Sequence, residues 1–348
     1  MRLYLFFVIV LGGLFFGKAQ ENSTNIILMI GDGMGLTQIT AGMYFNGNKT
    51  SLEGFTSIGL SKTHSSNSLV TDSAASGTAM AVGVKTLNGV VGISYKNKTP
   101  KSILEISKEQ GYQTALIATS SIVHATPASF YADVVSRKEY EKIALQMSTS
   151  VVDYFIGGGK KYFNDREDKR NLIKEMSDYD IVSSLSKFDN STASKIGHFT
   201  NRDEPNKIVD GRLPLKDAVQ SVLNKLDRDQ KPFFMMVEGS QIDWGGHANE
   251  INYVISEFND FDAAVQTVLD YTIDHPNTLV IVTADHETGG LTIPKGNIKK
   301  MRPSVDFSTV GHTASMVPVF AKGPSADTFS GIYDNTLIFT KMLNVLNE

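Results

Sequence analysis

The sequence predicts an α/β fold, a mainly parallel central sheet flanked by helices on both faces, and three observations carry that prediction. Short runs of consecutive aliphatic residues recur along the chain, the pattern of strands buried on both faces. Helical patterns lie between them. Residues able to do chemistry stand where those strands end or those helices begin, the place where an open α/β sheet presents its working groups.

The elements follow in order. Asn25 to Ile30 is an apolar run too short for a helix, and Gly31-Asp32-Gly33 stops it. Similar runs lie at 114–119, 151–156, 232–237, 278–283 and 316–321. Between them, Lys101 to Gln110 reads as a helix closed by Gly111, and Asn249 to Ile273 as a long helix ended before Pro276. Strands alternating with helices argue for parallel pairing. Residues 160–215 are rich in Lys, Asp, Asn and Ser with weak periodicity, and read as a peripheral insertion in a single domain spanning 20–348.

Residues 1–19 have the composition of a cleaved signal peptide: Arg2, then an apolar stretch from Leu3 to Phe16, then Gly17-Lys18-Ala19 as a small-x-small cleavage pattern. The stretch contains Gly12 and Gly13 and falls short of the about 20 residues that a spanning helix needs. A periplasmic or secreted protein without a membrane anchor after cleavage is expected. The chain carries a formal charge of −4, and cleavage removes two cations and no acid. That balance opposes steering of polyanions, so no specific nucleic-acid binding is expected. Cysteine is absent, which excludes disulfides, thiolate metal sites and a cysteine nucleophile.

Candidate chemical groups fall in short blocks. Ser73 heads a segment of small, helix-compatible residues, Ser73-Ala-Ala-Ser-Gly-Thr-Ala79. At a helix start its Oγ would lie near free backbone N–H groups, where an alkoxide or phosphate is stabilised; the other reading makes it an ordinary N-cap. Glu238, Asp243 and His247 follow an apolar run within ten residues. Asp243 and His247, four apart, can meet on one helical face. Asp285-His286 ends the next strong strand, and His312 precedes another. Nitrogen and oxygen donors without sulfur suit zinc, and an oxygen-only cluster suits magnesium. His64, His198 and His275 lack neighbouring acids of this kind and read as structural or surface residues.

The blocks Ile30 to Gly35, Thr71 to Ala75, Ala125 to Ala128, Glu238 to His247, Ala284 to Glu287 and His312-Thr313 resemble those of the alkaline phosphatases, in the same order and with compatible spacing. The resemblance covers roughly residues 24–325. It implies hydrolysis of small phosphate monoesters of broad range at alkaline pH, through phosphorylation of Ser73, with Arg137 clamping the phosphate. It also implies two Zn²⁺ ions and one Mg²⁺ ion: one zinc on Asp243, His247 and His312, the other on Asp32, Asp285, His286 and the serine oxygen, and magnesium on Asp32, Thr126 and Glu238. Some family members carry aspartate and lysine where this chain has His124 and Trp244, so the third metal site and the hold on product phosphate are expected to differ. A homodimer is implied by analogy alone. The rival from another class is a secreted protein that captures phosphate or metal without turnover, for which a nucleophile has no use.

Overall fold

A computed structural model describes residues 23–348, so the signal-peptide reading of 1–19 lies outside the described residues. In chain order the strands are β1 (Asn25–Gly31), β2 (Ser57–Lys62), β3 (Gln113–Ser121), β4 (Tyr154–Gly158), β5 (Asp180–Val182), β6 (Ile196–Phe199), β7 (Phe233–Gly239), β8 (Thr278–Thr283), β9 (Glu287–Thr288), β10 (Leu291–Asn297), β11 (Arg302–Phe307), β12 (His312–Thr313), β13 (Val317–Lys322) and β14 (Gly331–Asp334). Ten of them form one sheet in the order β14-β2-β13-β8-β1-β7-β3-β4-β6-β5. Only β13 runs against the rest, antiparallel to both β8 and β2. The expected mainly parallel α/β architecture is present.

The aliphatic runs sit where both faces of the sheet are covered. In β1, Ile26, Leu28 and Ile30 pack on one side with Met80 of the helix Ser73–Val82 and with Ile338 and Met342 of the C-terminal helix Thr336–Leu346. Ile27 and Met29 point the other way, into a second core with Val254, Phe258, Phe261 and Val265 of the helix Ile251–Asp274. This alternation follows from the period of two along a strand. A strand apolar at every position therefore serves two cores at once. Each fully buried side chain of this size contributes about 1.5–3 kcal/mol.

Boundaries shift for local reasons. β4 begins at Tyr154 rather than at 151, because Asp153 turns its carboxylate to accept from Lys108 Nζ at 2.6 Å and from Thr114 N at 3.0 Å. The helix Ile103–Glu109 has a capping box made by Ser102 and Glu105, and Gly111 beyond it takes φ 87°, a conformation glycine adopts without strain. Within 160–215, β6 and β5 extend the sheet beyond β4, and short helices connect them. Among the described residues no helix is long and apolar enough to cross a membrane.

Parallel strands put their C-terminal ends on one side. Asp32 follows β1, Glu238 is the penultimate residue of β7, Asp285 and His286 follow β8, and Thr126 lies just past β3. β13 runs the other way and so starts on that same side, which brings His312 there from the sequence before it.

Candidate active site and metal cluster

Ser73 is the first residue of its helix, and the capping function falls to Asp72, whose Oδ1 accepts from Ala75 N at 3.0 Å. The N-cap reading of Ser73 is thus corrected: the aspartate before it satisfies the free N–H, which leaves the serine hydroxyl for other use. Ser73 Oγ is buried and lies 3.3 Å from His286 Nε2.

Beside that hydroxyl the carboxylates hold oxygens that accept no hydrogen bond, although His286 Nε2 stands 3.1 Å from Asp285 Oδ2 and 3.4 Å from Asp32 Oδ1. Asp32 has neither Oδ1 nor Oδ2 hydrogen-bonded, Asp285 leaves Oδ2 unpaired, Glu238 leaves Oε1, and Thr126 leaves Oγ1. The remaining oxygens are fixed. Asp285 Oδ1 accepts from Gly33 N at 3.1 Å and His286 N at 3.0 Å, and Glu238 Oε2 accepts from Ser240 Oγ at 2.7 Å. Asp32, Glu238 and Asp285 are wholly buried. Burial, then repulsion from Asp285, Asp243 and Glu238, pushes the Asp32 carboxyl far above its ordinary pKa. Burial likewise raises Glu238 to about 7. Buried carboxylates with free lone pairs aimed at one another call for cations between them. This donor set fits divalent metal ions.

The histidines point the same way. His247 Nδ1 bonds to Val310 O at 2.6 Å and His312 Nδ1 to Thr71 O at 2.8 Å. Both rings therefore turn Nε2 inward, and these two nitrogens face each other at 3.1 Å beside Asp243. Backbone carbonyls commonly orient metal-binding histidines in this way. Burial opposes ionisation of Asp243, but hydrogen bonds from His247 and His312 outweigh it and hold its pKa well below the usual range. His247 in turn is raised to about 9, chiefly by its hydrogen bond with Asp243. The group attracts positive charge, as protons or as a metal ion.

Three sets of donor atoms lie within 4.8 Å of one another: Asp32, Asp285 and His286; Asp243, His286 and His312; and Asp32, His124 and Glu238. Asp32 and His286 each belong to two of them. Asp243 and His247 meet on one turn of the helix Gln241–His247, at 3.3 Å, as their spacing implies. Arg137 reaches the same centre: Nη1 donates to Asp72 Oδ2 at 3.0 Å, and Nη2 lies 3.5 Å from His124 Nε2. His124 is held neutral, its pKa lowered to about 3 by burial and then by Arg137. Trp244 packs edge-on against His124 with ring centres 6.2 Å apart.

A family model of alkaline phosphatase matches residues 23–304. The chain belongs to the alkaline phosphatase family. It is 33% identical to alkaline phosphatase 3 of Bacillus subtilis, with 94% of this chain and 90% of the relative covered. Against the alkaline phosphatase of Escherichia coli the identity is 30%, with coverage of 93% and 86%. Among solved structures, alkaline phosphatase from the Antarctic bacterium TAB5 superimposes with a TM-score of 0.89 at 42% identity, covering 93% of this chain and 98% of that one. Structures of its variants with aspartate or glutamate replacing a histidine have magnesium bound in the M3 site. The enzyme is a phosphoric monoester hydrolase, and metal cofactors go with the family and with the clusters above.

Several supporting residues had no clear sequence signal. Thr288 Oγ1 donates to Asp243 Oδ1 at 2.5 Å and lies 3.2 Å from His286 Nδ1, so one hydroxyl orients two of the clustered groups. Glu287 accepts from Gln38 Nε2 at 2.6 Å and Thr313 Oγ1 at 2.5 Å, tying β9 to β12. His64, His198 and His275 stand apart: His64 pairs with Asp334, His198 bonds to Val182 O, and His275 stacks on Tyr271.

Proposed function

We propose that the enzyme hydrolyses phosphate monoesters through a phosphoserine at Ser73, with two zinc ions and one magnesium ion held by the clustered donors. The observation that carries this reading is the set of unpaired buried carboxylate oxygens beside a serine Oγ at a helix N-terminus. Asp243, His247 and His312 would hold one zinc; Asp32, Asp285 and His286 the other; Asp32, Thr126 and Glu238, with His124 beside them, the third ion. When bound, such ions neutralise the dianionic ester, lower the pKa of the serine hydroxyl and of water, and stabilise the leaving oxygen.

The protein groups do the rest. Ser73 Oγ, its proton given up to solvent, attacks phosphorus as the P–O bond to the ester alcohol breaks, and the alcohol leaves after taking a proton from water; the N-terminus of the Ser73 helix stabilises the phosphoryl oxygens with free N–H groups. Arg137, steadied by Asp72, presents a planar fork able to grip two of those oxygens, which lysine cannot do. The phosphoserine is then hydrolysed by water, which regenerates Ser73 and releases inorganic phosphate. Chemistry that needs a deprotonated serine and water runs best at alkaline pH, and a rate profile peaking below pH 6 would contradict it. Secretion after cleavage of 1–19 and assembly as a homodimer belong to the same proposal; light scattering on the purified enzyme tests the dimer.

The deciding experiment offers p-nitrophenyl phosphate, bis-p-nitrophenyl phosphate and p-nitrophenyl sulfate to wild type and Ser73→Ala, with and without chelator. Monoester turnover lost on both treatments, with little diester or sulfate turnover, is the expected result. Turnover that survives Ser73→Ala would remove the serine from the chemistry. Binding of phosphate without turnover would favour the capture protein.

A further inference from the structure

The helix Ser73–Val82 touches the Asp285-His286 turn at two points. Ser73 Oγ approaches His286 Nε2, and Ser76 Oγ, three residues on and so on the same helical face, donates to Asp285 O at 2.7 Å. That carbonyl belongs to the peptide joining the two neighbouring donors, so its orientation sets how their side chains diverge. Ser76 does not stand alone. Asn335 Nδ2 donates to Ser76 Oγ at 3.0 Å, and Lys85 Nζ donates to Asn335 Oδ1 at 2.7 Å. Asn335 is anchored in turn by its own N–H to Lys62 O at 3.2 Å, at the end of β2.

The chain of donors has one direction. Lys85 can only donate, which forces the Asn335 amide to present Oδ1 to it and Nδ2 to Ser76. A serine oxygen that accepts from Nδ2 then turns its proton to the Asp285 carbonyl. Ser76, Asn335 and Asp285 are all at most 2% exposed, so no water competes and each bond strengthens the next. The lysine lies at one end of this relay and the metal-binding turn at the other, although Asn335 is 50 residues from Asp285 in sequence and on no strand or helix of the site.

We propose that Asn335 is a positioning residue for the reaction: acting through Ser76, it fixes the peptide between Asp285 and His286 and so holds the metal that those two bind. The inference rests on the reading of Asp285 and His286 as ligands. Asn335→Asp keeps the shape and the contact with Lys85 but removes the donor to Ser76, and Ser76→Ala removes the donor to Asp285.

The experiment measures zinc release from the metal-loaded enzyme to the chromogenic chelator 4-(2-pyridylazo)resorcinol, with the melting temperature of each variant alongside. Second-sphere losses of this kind cost about 10-fold or more in metal retention. Asn335→Asp and Ser76→Ala should each speed release by about that factor, and the double variant should be no faster than either, since the two act in series. Val345→Ala, which hollows the packing of the same C-terminal helix, should lower the melting temperature and leave release unchanged. Release at the wild-type rate in both test variants, or equal acceleration by Val345→Ala, overturns the proposal. Asp285→Ala separates this from failure of the underlying reading: if it loses zinc while the Asn335 and Ser76 variants keep it, the relay alone is wrong, and if it keeps zinc, the ligand assignment falls and the relay with it.

Discussion

The cluster has a floor and a rim, and they differ in what satisfies their polar atoms. On the floor Asp32, Glu238, Asp285 and His286 are fully buried, and several of their oxygens accept no hydrogen bond. At the rim His247 has 42% of its side chain exposed and His312 13%, and both are oriented by backbone carbonyls. Water can reach the rim and supply what a missing ion would. It cannot reach the floor, so there the fold has accepted electrostatic repulsion that protons or bound cations must relieve.

The largest effect expected is at the floor's centre. Ser73→Ala should lower turnover by roughly a million-fold, the scale seen when a nucleophile that works as part of a unit is removed. Zinc content should stay near wild type, because the carboxylates and imidazoles remain. Steady-state kinetics with metal analysis checks both; a loss confined to KM would make Ser73 a binding group only.

Next comes ion exchange. The rim opens to solvent and the floor does not, so zinc should leave in two phases under chelation, and His247→Ala should speed the fast phase while sparing the slow one. Asp285→Ala should abolish the slow phase. A single phase common to all three proteins would erase the distinction between floor and rim.

The third prediction reverses sign. In the metal-loaded enzyme Asp32→Asn removes the one negative charge that two clusters share, and should cost stability. With chelator present the same change relieves repulsion from Asp285, Asp243 and Glu238, and should stabilise. Each shift is on the order of 1–3 kcal/mol. Calorimetry with and without chelator measures it, and shifts of equal sign in the two conditions would mean that the floor is not held together by cations.

Much of this was legible in sequence, and what was missed has physical causes. Strands buried on both faces announce themselves as unbroken aliphatic runs, and β1, β7 and β8 lie where those runs are. The short strands β5 and β6 at one end of the sheet, of three and four residues, leave no such trace in the segment read as an insertion. β13 gives the apolar signal but not its direction, which comes from the β9–β12 region that precedes it in place of a crossover helix. In the cluster, charged and imidazole groups can be found from their type. Thr288 and Asn335 cannot, since a hydroxyl or an amide has no signature until the fold brings it to its partner, and which residue capped the Ser73 helix was decided only by the geometry of Asp72.

The smallest expected effect tests the rim from the product side. Trp244 sits on the same short helix as Asp243 and His247, partly exposed and edge-on to His124. It adds bulk there but no charge. Arg137 is accordingly the cation that the sequence offers to phosphate, and half of its fork is already engaged with Asp72. Trp244→Lys would bring a second cation to the opening, worth about 1 kcal/mol after solvent screening, or about fivefold in the inhibition constant for inorganic phosphate. If release of phosphate limits turnover, kcat should fall by the same factor, because the product is held longer. Tightened inhibition with unchanged kcat would place the slow step earlier. No tightening at all would show that the rim does not touch the product, and that its exposure serves ion exchange alone.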